Sequence, residues 1–359
     1  MYQFLYFILF FIGLIMIIKG SDWFIDSTVW AAEVFRIPQI IIGATIVSIC
    51  TTLPETFVSM TAAIKGETDM AIGNAIGSIG VNTGLVMALL LIFAAPIIDN
   101  RKSFIHNSFF LITVVIIVWI VGFIFHQIGL YSGILLLLIM LLYILKNVDS
   151  ARRLMDLDIN YDIEDDENVS KNIDLFNPMP EGIAYDEAEN EFDISKQIII
   201  KKIIFFMIGI SFVVLGSNLL VDNGIEIAKL LNVPPILIAL IFTSIGTSLP
   251  ELVTTITSIR KGAVNLGVGN IFGANILNIV QVIGLSAIIS PISLGHDLSI
   301  LYFQIPMVFI MVLVAIGFGI FQHNGYKPWN GIVLLAIYFV FLMVNLLREG
   351  TPFFFFLLF

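Results

Sequence analysis

The sequence is poor in the residues on which catalytic domains and disulfide-bonded domains depend. Of its 359 residues only 12% are charged, four are histidines and one, Cys50, is a cysteine. A single cysteine excludes an internal disulfide, and so few Cys and His residues exclude a zinc site of the Cys/His kind. The motifs H-E-x-x-H and G-x-S-x-G are absent. The sequence therefore predicts neither an enzyme nor a resident cofactor.

Basic residues are scarce as well. There are 17 Lys and Arg residues against 27 Asp and Glu residues, and the net charge of -10 predicts no nucleic-acid partner. Fifteen of the acidic residues lie between Asp149 and Asp193, in one hydrophilic segment. Nearly all of the others flank apolar runs, and only Glu55 and Glu251 lie well inside such runs.

Hydrophobic residues, in contrast, make up 58% of the chain, and its mean hydropathy is +1.02. A soluble domain of this length does not need so much apolar surface, so a bilayer is the expected solvent. Because backbone polar groups in hydrocarbon must be satisfied within each span, and the runs are too long for barrel strands, we expect an all-α integral membrane protein. Ten spans are expected, the first five at 3–24, 38–64, 69–97, 104–125 and 128–146, and the second five at 199–221, 234–259, 264–292, 299–321 and 328–347.

The basic residues predict how these spans are oriented. With the N-terminus outside, 14 of the 17 Lys and Arg residues fall on the cytoplasmic side, and only Lys65, Lys229 and Arg348 fall outside. The positive-inside rule therefore favours a multi-pass cell-membrane protein with both termini outside. The acidic segment 147–197 then becomes a cytoplasmic loop. Its charge density indicates a solvated or disordered linker.

The two halves of the chain carry one repeated sequence at a constant offset of 196 residues, which relates Glu55 to Glu251. The same offset relates Gly20 to Gly216, Asp26 to Asp222, Thr51 to Thr247, Pro54 to Pro250, Lys65 to Lys261, Asn74 to Asn270 and Asn82 to Asn278. Each copy lies within five spans, in the units 1–146 and 198–359. Because five is odd, the second copy enters the membrane from the opposite side. This is the inverted-topology repeat of secondary transporters, whose site lies near the midplane where the repeats meet.

Each repeat has a core with two hydroxyl residues, a proline and a glutamate. The cores are Cys50-Thr51-Thr52-Leu53-Pro54-Glu55 and Gly246-Thr247-Ser248-Leu249-Pro250-Glu251. Proline lacks an N–H and clashes with the carbonyl four residues earlier, so it frees carbonyl groups near Cys50 and Gly246. A freed carbonyl at membrane depth must be satisfied, and lining an ion site does so.

The two glutamates need a partner of opposite charge. A charged carboxylate at the bilayer centre costs about 2.5–3.5 kcal/mol on insertion scales. Two that face each other also repel, so an empty site is expected to hold a proton or to recruit a cation. Carboxylate, carbonyl, hydroxyl and amide oxygens are hard ligands that suit Ca²⁺ or Na⁺ rather than zinc or copper. The alternative, a permanently protonated carboxyl that only joins helices, does not explain the duplication.

A second segment of each repeat adds asparagines and closely spaced glycines. The matched positions of Asn82 and Asn278 favour ion coordination over a hydrogen bond between helices. For the glycines a spacing of four residues favours close helix packing. These glycines are Gly73, Gly77, Gly269 and Gly273.

At these residues the chain resembles the calcium/cation antiporter superfamily, and in particular its archaeal and bacterial sodium/calcium exchangers. The resemblance covers both repeats, and the G-T-S-L-P-E signature at Gly246 to Glu251 is specific, whereas Cys50 and Thr52 make the first copy a looser match. It implies a calcium site made by Glu55, Glu251 and the carbonyls of Thr51 and Thr247. It implies flanking sodium sites that use both glutamates with Ser78, Thr52, Ser248 and the carbonyls of Ser48 and Ser244, and a middle site at Asn82 and Asn278.

Two positions depart from the family pattern. Ala274 stands where the family commonly has serine, so one outer sodium site loses a hydroxyl and the usual exchange of three Na⁺ for one Ca²⁺ is in doubt. Asn278 stands where several relatives have aspartate, which weighs against potassium co-transport.

We therefore expect a secondary antiporter that exchanges Na⁺ for Ca²⁺ by alternating access. The expected partners are these two transported ions and the lipid bilayer, and we expect the chain to work as a monomer. An H⁺/Ca²⁺ exchanger that uses the same two glutamates is the alternative. A calcium channel with a glutamate pair as its filter is a second alternative, against which the matched inverted repeats weigh.

Overall fold

A computed structural model describes residues 2–34, 48–98, 101–164, 196–260, 264–294, 298–322 and 325–348 of the chain. The first half contains α1 (Tyr2–Val34), α2 (Ser48–Thr51), α3 (Leu53–Ile64), α4 (Thr68–Val81), the π-helical segment π1 (Asn82–Val86), α5 (Met87–Ala94), α6 (Arg101–Phe125), β1 (Gln127–Ile128) and α7 (Leu130–Glu164). The second half contains α8 (Lys196–Leu231), α9 (Pro235–Ile238), π2 (Ala239–Thr243), α10 (Ser244–Thr247), α11 (Leu249–Arg260), α12 (Val264–Leu277), π3 (Asn278–Ile283), α13 (Gly284–Ile289), β2 (Ile292–Ser293), π4 (Ile300–Gln304), α14 (Ile305–Phe321) and α15 (Pro328–Arg348).

The chain is a multi-pass membrane protein. Within the described residues, eight helices are long and apolar enough to cross a membrane, and they correspond to the third to tenth expected spans. The first expected span is represented by the shorter apolar stretch Phe4–Gly20 within α1. The second lies partly outside the described residues, because the structure describes only 48–64 of it. The count of ten spans therefore stays a prediction.

Two local features differ from the expectation from sequence. The protein is nearly all-helical rather than all-α, since β1 and β2 form a short antiparallel pair in which Gln127 faces Ser293 and Ile128 faces Ile292. Helix α7 also continues to Glu164, into the segment expected to be a loop. The chain from residue 147 to Glu164 contains neither glycine nor proline, so nothing in it breaks the helix that enters from the membrane.

The most buried helices are the third span of each half. In the most apolar stretch of Thr68–Ala94, 78% of the residues are buried, and in that of Gly267–Ile289 the share is 89%. The corresponding shares are 17% for Leu130–Asp149 and 11% for Gln197–Leu231. The repeated segments with the asparagines and glycines thus form the centre of the molecule, while α7 and α8 present their apolar side chains to lipid.

Helices α1 and α8 lie against each other as an antiparallel pair. A Cβ atom added to Gly13 would lie 2.7 Å from the carbonyl oxygen of Gly216, and one added to Gly20 would lie 2.6 Å from that of Gly209. Only glycine permits this approach of the two backbones. The repeat offset relates Gly13 to Gly209 and Gly20 to Gly216, so the contact is built from equivalent residues of the two halves.

Candidate functional site

Both glutamates follow a break in a membrane helix. Helix α2 ends at Thr51 and α3 begins at Leu53, and the equivalent interruption separates α10 from α11. The residues at the two breaks have nearly the same backbone angles, φ -84° and ψ 0° at Thr52 and φ -83° and ψ 8° at Ser248. A proline without an N–H stands two residues after each break, in the first turn of the next helix, where it is well tolerated. The breaks lie next to Cys50 and Gly246, near which the two prolines were expected to free carbonyl groups.

The two carboxyl groups meet inside the protein. Glu55 and Glu251 are both fully buried, each in the first turn of its helix. The Ser248 hydroxyl of the second repeat donates a hydrogen bond of 3.2 Å to Oε1 of Glu55 in the first. The two carboxyl groups are also close enough to interact electrostatically. The breaks therefore bring together acidic groups that are 196 positions apart in the sequence.

Hydroxyl groups from both repeats surround the carboxyls. Those of Thr247 and Ser78 lie near the carboxyl of Glu55, and that of Thr51 lies near Glu251. Each carboxyl is thus approached by a hydroxyl of the other repeat. The two repeats contribute equivalent helices to this arrangement, but they do not contribute equivalent hydroxyl groups. The residue of the second repeat that corresponds to Ser78 is Ala274.

Many oxygen atoms of this region have no hydrogen-bond partner among the described residues. They are Oε2 of Glu55, both carboxylate oxygens of Glu251, Oγ of Ser78 and Oδ1 of Asn82 and of Asn278. Buried polar atoms in proteins nearly always have a partner, so a group of such oxygens needs an explanation. A cation bound among them would satisfy several at once, and only hard oxygen ligands are present to hold it.

The two asparagines begin matched π-helical segments. Asn82 is the first residue of π1 and Asn278 the first of π3, and both side chains are fully buried. Segments of this kind are rare and are found frequently at functional sites. The repeat offset pointed to both asparagines, but the sequence did not predict the π-helical backbone.

The predicted carbonyl ligands of the flanking sites are occupied by donors from their own helix turns. The Ser48 carbonyl accepts bonds from the Thr52 amide at 3.1 Å, the Thr52 hydroxyl at 2.8 Å and the Thr51 hydroxyl at 3.2 Å. The Ser244 carbonyl accepts bonds from the Ser248 amide at 3.0 Å and, weakly, from the Thr247 hydroxyl at 3.4 Å. An ion at either carbonyl would have to compete with these hydroxyl groups.

All eleven predicted ligands lie in the described part of the chain, and each is at most 3% exposed. The hydroxyls of Ser248, Thr247, Ser78 and Thr51 approach the two carboxyls. The Thr52 and Ser244 hydroxyls bond within their own spans, and the Ser48 hydroxyl donates to Asn270 of the other repeat. The Asn82 and Asn278 side chains have no hydrogen-bond partner among the described residues. The structure describes no cluster of three or more His, Cys, Asp or Glu side chains in these ranges, so the two glutamates supply the charge of the site.

Two asparagines that the sequence did not single out as ligands support the site. Asn74 donates bonds from Nδ2 to the Glu55 carbonyl at 3.2 Å and to the Ser59 hydroxyl at 2.9 Å, while its Oδ1 accepts the Thr247 hydroxyl at 3.3 Å. Its repeat counterpart Asn270 accepts the Ser48 hydroxyl at 3.3 Å. Both asparagines connect one repeat to the other. The repeat offset relates Asn74 to Asn270, and the presence of asparagine at both positions was the signal in the sequence that could have identified them.

The close packing expected of the glycines is found at three of the four positions. A Cβ atom at Gly77 would lie 2.7 Å from both the Leu240 carbonyl and the Ser244 hydroxyl, and one at Gly273 would lie 3.0 Å from the Ser48 hydroxyl. At Gly73 it would lie 2.7 Å from Ile236, whereas Gly269 has open space. The first three glycines bring the third span of each half against the helices that carry the breaks.

The chain is similar in sequence and structure to known membrane proteins, among them sodium/calcium exchangers. Residues 5–148 and 201–347 match the family described as sodium/calcium exchanger protein. The sodium/calcium exchanger MaX1 of Methanosarcina acetivorans is 27% identical over 94% of this chain and 97% of its own length. The inner membrane protein YrbG of Escherichia coli is 28% identical over 90% of this chain and 91% of its own length. A structure of the sodium-calcium exchanger NCX_Mj soaked with Na⁺ and Sr²⁺ has a TM-score of 0.59 and 25% identity, covering 94% of this chain and 98% of that one.

Proposed function

This chain belongs to the sodium/calcium exchanger protein family, and on that premise we propose that it exchanges Na⁺ for Ca²⁺ across the membrane by alternating access. The family is one of transporters rather than of catalytic enzymes. One observation supports the proposal above all. Two fully buried carboxyl groups from opposite repeats meet at matched helix breaks, among oxygen atoms that have no partner in the described residues.

We propose that Ca²⁺ is bound by the carboxylates of Glu55 and Glu251 and the carbonyls of Thr51 and Thr247. Ca²⁺ takes six to eight oxygen ligands, and two carboxylates balance its charge. Since all of these groups come from one chain, a monomer is sufficient.

The Na⁺ ions use the same two carboxylates from the flanking positions. Their other ligands are the hydroxyls of Ser78, Thr52 and Ser248 and the carbonyls of Ser48 and Ser244, with Asn82 and Asn278 at the middle position. Because the carboxylates balance the charge of either Ca²⁺ or Na⁺, the two ions compete. That competition couples their transport.

Alternating access requires one part of the molecule to move past the site. The antiparallel pair α1 and α8 is suited to this role, since it contains the first span of each repeat and lies beside the helix breaks. The side chain of Leu14 in α1 fills the space next to Gly246, directly before Thr247. We propose that sliding of this pair opens the site to one side of the membrane or the other.

The test is calcium uptake by vesicles that contain the purified protein. We expect an outward Na⁺ gradient at clamped pH to drive Ca²⁺ into the vesicles. Uptake that responds only to a pH gradient would show the alternative, an H⁺/Ca²⁺ exchanger in which the same glutamates carry protons. Ca²⁺ flux that needs no counter-ion would indicate a channel.

A further inference from the structure

Two hydrogen bonds between the repeats have no equivalent at their repeat-related positions. Gln281 in π3 donates from Nε2 to the Thr56 hydroxyl at 2.9 Å, and Asn275 in α12 donates from Nδ2 to the Thr83 hydroxyl at 2.9 Å. The four residues at the repeat-related positions are all apolar. They are Leu85 and Leu252 for the first bond, and Ile79 and Ile279 for the second. The two halves are therefore chemically unequal close to the site.

Gln281 is connected directly to the helix turn that carries Glu55. Its partner Thr56 is the next residue after Glu55, and the Thr56 hydroxyl donates in turn to the Thr52 carbonyl at 2.8 Å. Since an amide group is planar, the bond from Nε2 to Thr56 also fixes the direction of the amide oxygen. Gln281 is 4% exposed, and its Oε1 has no hydrogen-bond partner among the described residues.

An oxygen atom in this position requires an explanation, because buried carbonyl oxygens are nearly always paired. Gln281 lies three residues after Asn278, whose amide oxygen also lacks a partner within the described ranges. The second repeat has lost a hydroxyl where Ser78 of the first corresponds to Ala274. It has gained a buried amide at Gln281, where the first has Leu85.

We propose that the amide oxygen of Gln281 is an additional ligand for a monovalent cation, an inference that rests on the proposed function and identifies this ion as Na⁺. The desolvation cost of an ion rises with the square of its charge, and a neutral amide brings no charge to offset it. A neutral oxygen can also ligate Ca²⁺, so the assignment to the monovalent ion rests on the second repeat, which has Ala274 where the first has Ser78, a predicted Na⁺ ligand. The glutamate pair keeps the preference for Ca²⁺.

The competing explanation is a hydrogen bond that only holds the two repeats together. The structure offers a matched control in Asn275, which makes a bond of the same kind and length and whose Oδ1 also has no partner among the described residues. Its bond goes to Thr83, on a different helix from Glu55, so we expect its oxygen not to bind the ion. Substitution by the residue at the repeat-related position, Gln281→Leu or Asn275→Ile, removes each bond in turn.

The experiment measures Ca²⁺ flux into vesicles of purified protein, with Na⁺ and Ca²⁺ varied separately. For Gln281→Leu we expect the Na⁺ concentration at half-saturation to rise roughly five- to tenfold, the scale of one lost polar contact. The half-saturating Ca²⁺ concentration should change less than about twofold. Asn275→Ile should not shift the Na⁺ dependence selectively. Gln281→Met, of similar volume, gives the same comparison if the leucine variant does not fold.

Three results would overturn the inference: unchanged Na⁺ dependence in Gln281→Leu, parallel changes for both ions, or an equal selective loss in Asn275→Ile. In each case the wild-type protein still exchanges Na⁺ for Ca²⁺. Failure of the proposed function looks different, because the wild-type protein itself would then show no Na⁺-driven uptake.

Discussion

At the scale of single residues, burial without a partner distinguishes the site from the rest of the protein. Acidic groups elsewhere in the described ranges can reach water or a cation, as Asp222 does with Lys65 at 2.6 Å and Glu226 with Lys229 at 2.7 Å. Glu55 and Glu251 have no cationic side chain as a partner in the described chain and are fully buried. Only a mobile cation or a proton can neutralise them.

Replacing either buried glutamate by its amide should abolish calcium transport. Glu55→Gln or Glu251→Gln keeps the shape of the side chain but removes the charge that balances Ca²⁺, so we expect uptake to fall on the order of 100-fold or more. Glu226→Gln, at an exposed glutamate on α8, is the matched control and should transport like the wild type. Normal uptake by either site variant would show that the glutamates do not bind the ion.

The supporting asparagine Asn74 should affect affinity without touching the ion. It holds the Glu55 backbone and the Thr247 hydroxyl, so Asn74→Ala should weaken Ca²⁺ binding roughly tenfold, as loss of a group that orients ligands does. Binding isotherms of the purified protein would measure the change. Asn218→Ala removes an amide that bonds only within α8 and should leave the affinity unaltered. Equal affinities in both variants would argue against a role for Asn74 in the site.

At the scale of secondary-structure elements, the spans were predictable and their irregularities were not. The thickness of the bilayer fixes the length of a helix that crosses it, so apolar runs locate the spans closely. The sequence predicted freed carbonyls near Cys50 and Gly246, because proline removes a donor at a known position, but it did not predict the breaks at Thr52 and Ser248 themselves. The π-helical segments depend on tertiary packing around Asn82 and Asn278, and no residue type encodes them. The β1–β2 pair is too short to leave a periodic pattern, and charge density concealed the helical continuation of α7.

The helix break in the first repeat can be tested by restoring the missing donor. Pro54→Ala supplies an N–H for the Cys50 carbonyl and makes a continuous helix through Thr52 easier to form, by about 3 kcal/mol of helix propensity. We expect a protein that is more stable without ions but binds Ca²⁺ roughly tenfold more weakly, because the Thr51 carbonyl turns back into the helix. Thermal unfolding with and without Ca²⁺ measures both effects.

Pro306 provides the control for this change. It also stands in the first turn of a helix, α14, but in a span that carries none of the predicted ligands. In Pro306→Ala, Ca²⁺ should stabilise the protein against thermal unfolding as much as it does in the wild type. If Pro54→Ala bound Ca²⁺ normally, the Thr51 carbonyl would have no part in the site.

At the scale of the whole molecule, the long helices α1 and α8, which begin the two halves, pack differently from the central helices. The central helices α4 and α12 are fixed by glycine contacts to the helices of the opposite repeat, as Gly77 is to π2 and α10. The two long helices contact each other through Gly13 with Gly216 and Gly20 with Gly209, and Gln197–Leu231 is mostly unburied. This difference in packing supports the proposal that the pair moves together past a fixed centre.

The glycine contact between α1 and α8 should therefore control the rate of exchange rather than ion affinity. In Gly13→Ala the new Cβ would lie 2.7 Å from the Gly216 carbonyl oxygen and would force the two backbones apart. Overpacking of this kind costs about 1–3 kcal/mol, so we expect turnover to fall about tenfold while equilibrium Ca²⁺ binding is retained. Gly129→Ala, where no atom lies within 4 Å of the new Cβ, is the control. A loss of Ca²⁺ affinity that matched the loss of turnover would place the effect of Gly13 in the binding site instead of in the moving pair.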